Sequence, residues 1–206
     1  MSKLIAVDLD DVVHNTVEDI LKYHNTTYGT QVTLDQYYGA TTRPAETWSA
    51  KDDETAIRQV QSYVYTEQYL QSKPDLITKE VLNGLALKHR LIIVTGRADF
   101  VIEPTKVWIE KNLPNVFADI IHTNFYRSAV DAKVAKKVDI CRSLGVDVLI
   151  DDHLEHVLTT ASGGIDCILF GNYVWNQIDD TTLPANVRRC LNWGDVYEYF
   201  DESNRC

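Results

Sequence analysis

Four apolar residues running into three carboxylates, Leu4-Ile5-Ala6-Val7-Asp8-Leu9-Asp10-Asp11, constrain this chain more than any other stretch. A short, continuous apolar run without polar alternation predicts a strand buried on both faces of a parallel sheet. Such strands hand their next side chains to the carboxyl-end rim of the sheet, where ligands bind in open α/β folds. Carboxylates crowded there repel one another unless a cation sits among them, and an all-oxygen cluster suits Mg2+. The stretch therefore predicts an aspartate nucleophile beside a metal.

The pattern recurs twice. Leu91-Ile92-Ile93-Val94 delivers Thr95-Gly96-Arg97, and Val146-Asp147-Val148-Leu149-Ile150 delivers Asp151-Asp152. Further strands are predicted near Phe117–Ile121 and over Ile165–Phe170, the last of the series, with helices over about 100–112 and 129–144 and another starting directly after Asp152. Strands alternating with helices predict an α/β fold, a parallel sheet joined by right-handed crossovers. The segment 14–75 has no strong strand pattern and reads as a helical insertion over the C-terminal end of the first strand, leaving 1–13 and 76–206 as the core. Within it, Val13, Val17, Ile20, Leu21 and His24 follow helical spacing. Ser49-Ala50-Lys51-Asp52 resembles a capping box before the face Ile57, Val60 and Val64.

Composition narrows the partners. The chain has 206 residues, 45% of them hydrophobic, and a net charge of −10, which opposes a sequence-independent grip on nucleic-acid polymer. A small phosphorylated substrate remains compatible, because a local cation reverses the sign within a site. No signal-peptide-like run precedes Asp8, no run is long enough for a membrane span, and the four cysteines make no metal-ligand spacing. A cytoplasmic setting with no membrane is expected, with Cys141 and Cys167 as core residues.

Taken singly the polar signatures are weak: Asp-x-Asp suits a solvated turn, Thr-Gly-Arg a loop, and a double Asp a helix N-cap. Together, each after a buried-strand pattern, they converge on one rim. Read as Asp8-Leu9-Asp10-Asp11-Val12, Val94-Thr95-Gly96-Arg97, a lysine among Lys133, Lys136 and Lys137, and Leu149-Ile150-Asp151-Asp152, they resemble the four motifs of the haloacid-dehalogenase-like (HAD) hydrolase superfamily. The resemblance covers most of the chain and looks closest to the 5′(3′)-deoxyribonucleotidase-like branch, with Trp175-Asn176 downstream and a helical first-class cap.

That resemblance implies a Rossmann-like core and a Mg2+-dependent phosphomonoesterase working through an aspartyl-phosphate. Asp8 would attack phosphorus, and Asp10 would serve as acid and then base. Asp8, Asp10 through its backbone carbonyl, Asp151 and Asp152 would hold the ion. Thr95 and Gly96 would bind phosphoryl oxygens, with Arg97 open between phosphate and a carboxylate partner. Residue spacing leaves the lysine open, and the resemblance favours Lys137, four residues before Cys141. Hydrolysis and transfer to another acceptor, as in mutases, would share this machinery. A receiver-like phosphoacceptor also gathers acids, a Thr and a Lys, but here the acidic pair comes after the lysine. Intact Asp8 and Asp10 argue against a silent binding module.

Seven of the eleven tyrosines lie between Tyr23 and Tyr69. Most would form the insertion's own core, with Tyr37, Tyr38 and Trp48 as candidates to stack on a nucleobase and Arg43 to meet a second anion. His153 and His156 suggest a transition-metal pair, against the ordinary reading of a helix cap or solvent-facing rings. His14 and His122 fall near the expected site.

Overall fold

The opening run forms β1 (Leu4–Val7), with Ile5 and Val7 buried in one hydrophobic cluster and Ala6 in another on the opposite face. Successive side chains of a strand point to opposite faces, so a continuous apolar run means that both are covered. The computed structural model describes residues 1–37, 43–127 and 134–203. Its other strands are β2 (Arg90–Thr95), β3 (Phe117–His122), β4 (Val148–Asp151), β5 (Asp166–Phe170) and β6 (Val187–Cys190). All pair in parallel in the order β3-β2-β1-β4-β5-β6. Register places Val7 beside Ile93 on one side and Ile150 on the other.

This is the strand order of a doubly wound α/β sheet, in which the chain reverses its direction of travel between β1 and β4. The connections leaving those two strands go opposite ways, which opens a crevice at their carboxyl ends. One face of the sheet packs on α6 (Leu76–Ala86), α7 (Ile102–Asn112) and α10 (Trp193–Ser203) through Leu82, Trp108 and Val196. The other packs on α8 (Lys137–Leu144) and α9 (Leu154–Ser162) through Cys141, Val157 and Ala161. Cys141 and Cys167 are core residues, as expected.

Between β1 and α6 the described residues form α1 (Val17–Tyr28), α2 (Leu34–Tyr37), α3 (Pro44–Thr47), α4 (Asp53–Gln61) and α5 (Glu67–Gln71), with no strand among them. The two ends of this helical segment meet. His14 Nε2 lies 2.7 Å from Ser72 Oγ, and Trp108 Nε1 of α7 donates to the same oxygen at 2.9 Å.

Local boundaries differ from the sequence reading for identifiable reasons. α1 starts at Val17 rather than near Val13, because residues 8–16 form a tight loop with Asp11 in the left-handed region (φ 58°) and a bridge between Asp10 and His14. Asp is among the few non-glycine residues that tolerate this conformation. The cap of α4 is Asp52, whose Oδ1 accepts from Thr55 N–H at 2.7 Å, and not Ser49, which has φ 54°. Of the helix expected over 129–144, the described part begins at Lys137; Lys133 and Tyr38 lie outside the described residues.

β6 comes after the strand expected to be the last. As an edge strand with two arginines it has little apolar signature, and Arg188 and Arg189 pair with Glu202 and Asp180 at 2.7 and 2.6 Å. No helix among the described residues is long and apolar enough to cross a membrane.

Candidate active site

Three adjacent strands end at the crevice. Asp8 extends β1 and continues its ladder, its N–H donating to Ile150 O at 2.8 Å. Thr95 is the last residue of β2 and Asp151 the last of β4, with Asp152 next. The carboxylates of Asp8, Asp151 and Asp152 are buried, and an oxygen of each lies within 4.8 Å of the others. Lys137, first residue of α8, reaches in from the side, its Nζ 2.6 Å from Asp151 Oδ2 and 2.8 Å from Asp8 Oδ1. Lys136 is exposed.

Electrostatics sort these acids. Asp8 is raised to about 6, by burial above all and also by Asp151 and Asp10, against the downward pull of Lys137. Burial also acts on Asp151, but Lys137 and His156 outweigh it and hold the carboxyl well below its ordinary range. Burial, then Asp8 and Asp151, push Asp152 well above it. One buried ammonium thus faces three buried carboxylates, too little positive charge for all to ionise.

A divalent cation fits this deficit. The donors are all hard oxygens, and Asp8 Oδ1 accepts no hydrogen bond, its contact with Lys137 being an ion pair of poor hydrogen-bond geometry. Asp152 is oriented from outside, its Oδ2 accepting from Trp175 Nε1 at 2.6 Å and its backbone carbonyl from Asn176 Nδ2 at 2.9 Å.

Asp10 lies apart from the trio. Both its oxygens face the Arg97 guanidinium, with Nε at 3.1 Å from each and Nη2 at 2.7 Å from Oδ1. Burial opposes ionisation of Asp10, yet Arg97 prevails and lowers its pKa. Of the two readings of Arg97, the carboxylate partner is present, in Asp10. Thr95 Oγ1 accepts from Arg97 N–H at 3.3 Å, while Gly96 lines the cavity in front of Asp8.

That cavity, about 40 Å³, is walled by Asp8, Lys137, Asp152, His153, His156 and aromatic rings. The histidines stand close together, ring centres 4.4 Å apart, and His156 Nδ1 lies 3.4 Å from Asp151 Oδ2. The described residues close enough to share one ion are nevertheless the three aspartates. His122 approaches the backbone of Arg97 at 3.3 Å, and His14 contacts Thr16 and Ser72.

A second cavity, also about 40 Å³, lies between the helical segment and the sheet. Ile20, Trp48, Ile57 and Val60 face it from one side and Asp10 and Arg97 from the other; Tyr37 and Tyr126 border both cavities. Tyr37 packs on Trp48 and on Trp175, ring centres 6.0 and 5.8 Å apart. Arg43 is exposed and pairs with Glu46 at 3.2 Å instead of reaching the site.

Sequence reasoning missed Tyr126 and the hydrogen-bonding role of Trp175. Both sit a few residues past the carboxyl end of a parallel strand, Tyr126 beyond β3 and Trp175 beyond β5. Their position on the rim where ligands bind is the signal that could have found them.

No protein-family model matches the chain. A protein of Halalkalibacterium halodurans, provisionally named as a nucleotidase, is 22% identical over 188 residues, covering 91% of this chain and 78% of that one. Among solved structures, a predicted phosphatase of Clostridium acetobutylicum superposes with a TM-score of 0.70 at 18% identity, covering 98% of this chain and 99% of the other. A haloacid dehalogenase-like family hydrolase of Streptococcus pneumoniae gives 0.69 at 15% identity over 97% and 98%. CbbY of Rhodobacter sphaeroides, solved with phosphate, gives 0.67 at 14% over 95% and 96%.

Proposed function

For a chain with the haloacid-dehalogenase-like fold, we propose the activity of a phosphomonoesterase that works through an aspartyl-phosphate and takes nucleoside monophosphates or close analogues. The observation that carries it is the Asp8 carboxylate, held by Lys137 beside Asp151 and Asp152 at the carboxyl end of the central strand. Mg2+ would be held by Asp8, Asp151, Asp152 and the Asp10 backbone carbonyl, and would offset the repulsion between a carboxylate nucleophile and an anionic phosphoryl group.

In the first step an Asp8 oxygen forms a bond to phosphorus, the ester P–O bond breaks, and the Asp10 carboxyl gives its proton to the departing oxygen. In the second, water attacks phosphorus, its proton passes to Asp10, and the P–O bond to Asp8 breaks. Ester and water thus become alcohol and inorganic phosphate. Arg97 favours the ionised form of Asp10; an arriving phosphoryl dianion would oppose that charge and draw in the proton. Lys137 would neutralise charge on the transferring group, and the Thr95 hydroxyl and Gly96 N–H would bind its oxygens.

The substrate class rests on the cavity beside Asp10 and on the nucleotidase-named relative. Trp48, Ile57, Val60 and Tyr37 present flat and apolar surface to whatever leaves with the alcohol. At about 40 Å³ the cavity holds a few waters and no nucleoside, so segment 14–75 would act as a cap that opens to admit substrate and closes to exclude water.

The test is release of inorganic phosphate from 4-nitrophenyl phosphate and from a panel of nucleoside monophosphates, sugar phosphates and phosphoserine. Activity that needs Mg2+, is lost with EDTA and is abolished in Asp8→Asn is expected; a folded, Mg2+-loaded protein that hydrolyses none of them refutes the reading.

A further inference from the structure

We propose that Arg97 is a positioning residue that aims Asp10, and that Tyr69 of the helical segment holds Arg97 to that task; the proposal rests on the phosphomonoesterase reading above. Arg97 is among the largest side chains to be fully buried. All three of its guanidinium nitrogens donate. Nε and Nη2 take both oxygens of Asp10, and Nη1 donates to Tyr69 Oη at 2.7 Å and to Thr105 Oγ1 at 3.1 Å.

A planar fork on both carboxylate oxygens fixes the rotation of the carboxylate as well as its place, which a single ammonium contact does not. The fork is fixed in turn from two sides. Thr105 belongs to α7 and donates onward to Val101 O at 2.8 Å. Tyr69 belongs to α5, is fully buried, and stacks on Trp108 with ring centres 5.9 Å apart. Asp10 is therefore aimed by a chain of contacts that begins in the helical segment and ends at the rim of the sheet.

A proton donor works only within hydrogen-bond reach of the atom it protonates, and misplacement by an ångström is costly. Mis-aiming Asp10 should then hurt in proportion to how much the leaving oxygen needs a proton. 4-Nitrophenolate departs as a stable anion and needs little help. Benzyl alcohol is of similar size, but its alkoxide is strongly basic and does not depart unprotonated. A merely structural role for Arg97 or Tyr69 would depress both substrates alike.

The experiment compares kcat/KM, which reports steps through departure of the alcohol, for benzyl phosphate and 4-nitrophenyl phosphate in wild type, Arg97→Lys and Tyr69→Phe, all with Mg2+. Lysine keeps the charge and loses the fork. Phenylalanine keeps the buried ring and loses one hydrogen bond. For Arg97→Lys, a fall on the order of 10²-fold on benzyl phosphate is expected, with 4-nitrophenyl phosphate changed by no more than about threefold. Tyr69→Phe should show the same selectivity at smaller amplitude.

Equal losses on the two substrates, or no loss on either, overturn the proposal while leaving the phosphatase reading intact. If Arg97→Lys does not fold, Tyr69→Phe decides by the same criterion. A wild type inactive on both substrates overturns the phosphatase reading, and this proposal with it.

Discussion

Replacing Lys137 by methionine tests the charge balance of the site most directly. Methionine keeps much of the apolar stem, so the loss is chiefly of the ammonium that stands 2.6 Å from Asp151 and 2.8 Å from Asp8. All three side chains are buried, and removing one partner of such a group costs about 3–5 kcal/mol, because the charges left behind are neither paired nor hydrated. For a chain of this length 1 kcal/mol corresponds to roughly 2–4 °C, so the variant should melt about 6–20 °C below wild type in EDTA. Mg2+ supplies positive charge to the same carboxylates, and at about 100 times its dissociation constant it returns about 2.7 kcal/mol. Wild type already has part of that charge from Lys137, so the Mg2+-induced rise in Tm should be larger in the variant. Turnover of 4-nitrophenyl phosphate should nevertheless fall by about 10²–10³-fold, since under the proposed mechanism the ion would not replace Lys137 as a donor to the transferring group. Differential scanning calorimetry with EDTA and with Mg2+, alongside phosphate release, reads all three quantities. A variant melting within about 2 °C of wild type in EDTA would refute the charge argument.

The exposed neighbour provides the control: Lys136→Ala should leave both Tm and turnover unchanged, and a large loss would reopen the assignment of the lysine. His14 makes stability pH-dependent. Burial, then Arg97, lowers its pKa to about 4, so between there and the ordinary 6.5 the unfolded chain takes up a proton that the folded one refuses. Stability therefore falls as pH drops, by about 2 kcal/mol from this residue between pH 7.5 and 5; urea melts of His14→Gln should show a correspondingly smaller drop. At Gly171 (φ 74°) an added Cβ would lie 2.3 Å from the Tyr173 ring. Gly171→Ala should cost about 1–3 kcal/mol and displace Tyr173, whose hydroxyl donates to Asp11 O at 2.7 Å; an unchanged chemical-denaturation midpoint would contradict this.

Much of the sheet was legible because β1, β2 and β4 are central strands, whose need for apolar side chains on both faces writes a plain signal. The acids were legible for the same reason, each standing directly where such a run stops. The edge strand β6 was not, since Val187-Arg188-Arg189-Cys190 faces a neighbour on one side only and keeps charged side chains. Nor were residues 8–16, where hydrogen bonds from Thr16 and Val17 N–H to the Asp11 carboxylate override the helical spacing begun at Val13. The partner of Arg97 was undecidable in one dimension. Asp10 and Arg97 are 87 positions apart, and nothing in either neighbourhood distinguishes a fork on a carboxylate from one on phosphate.

The meeting of His14 with Ser72 has a consequence for how such a molecule diversifies. Because the excursion departs and returns at practically one point, the sheet's pairing of β1 with β2 is complete without it. Its length and internal architecture can drift, shrink or be exchanged wholesale while the strand register stays put. Such a graft must supply a hydroxyl in place of Tyr69, an acceptor for Ala98 N–H in place of Gln61, and cover for Trp108. Selectivity could thus be rewritten in one place while the acids on the rim are inherited unaltered.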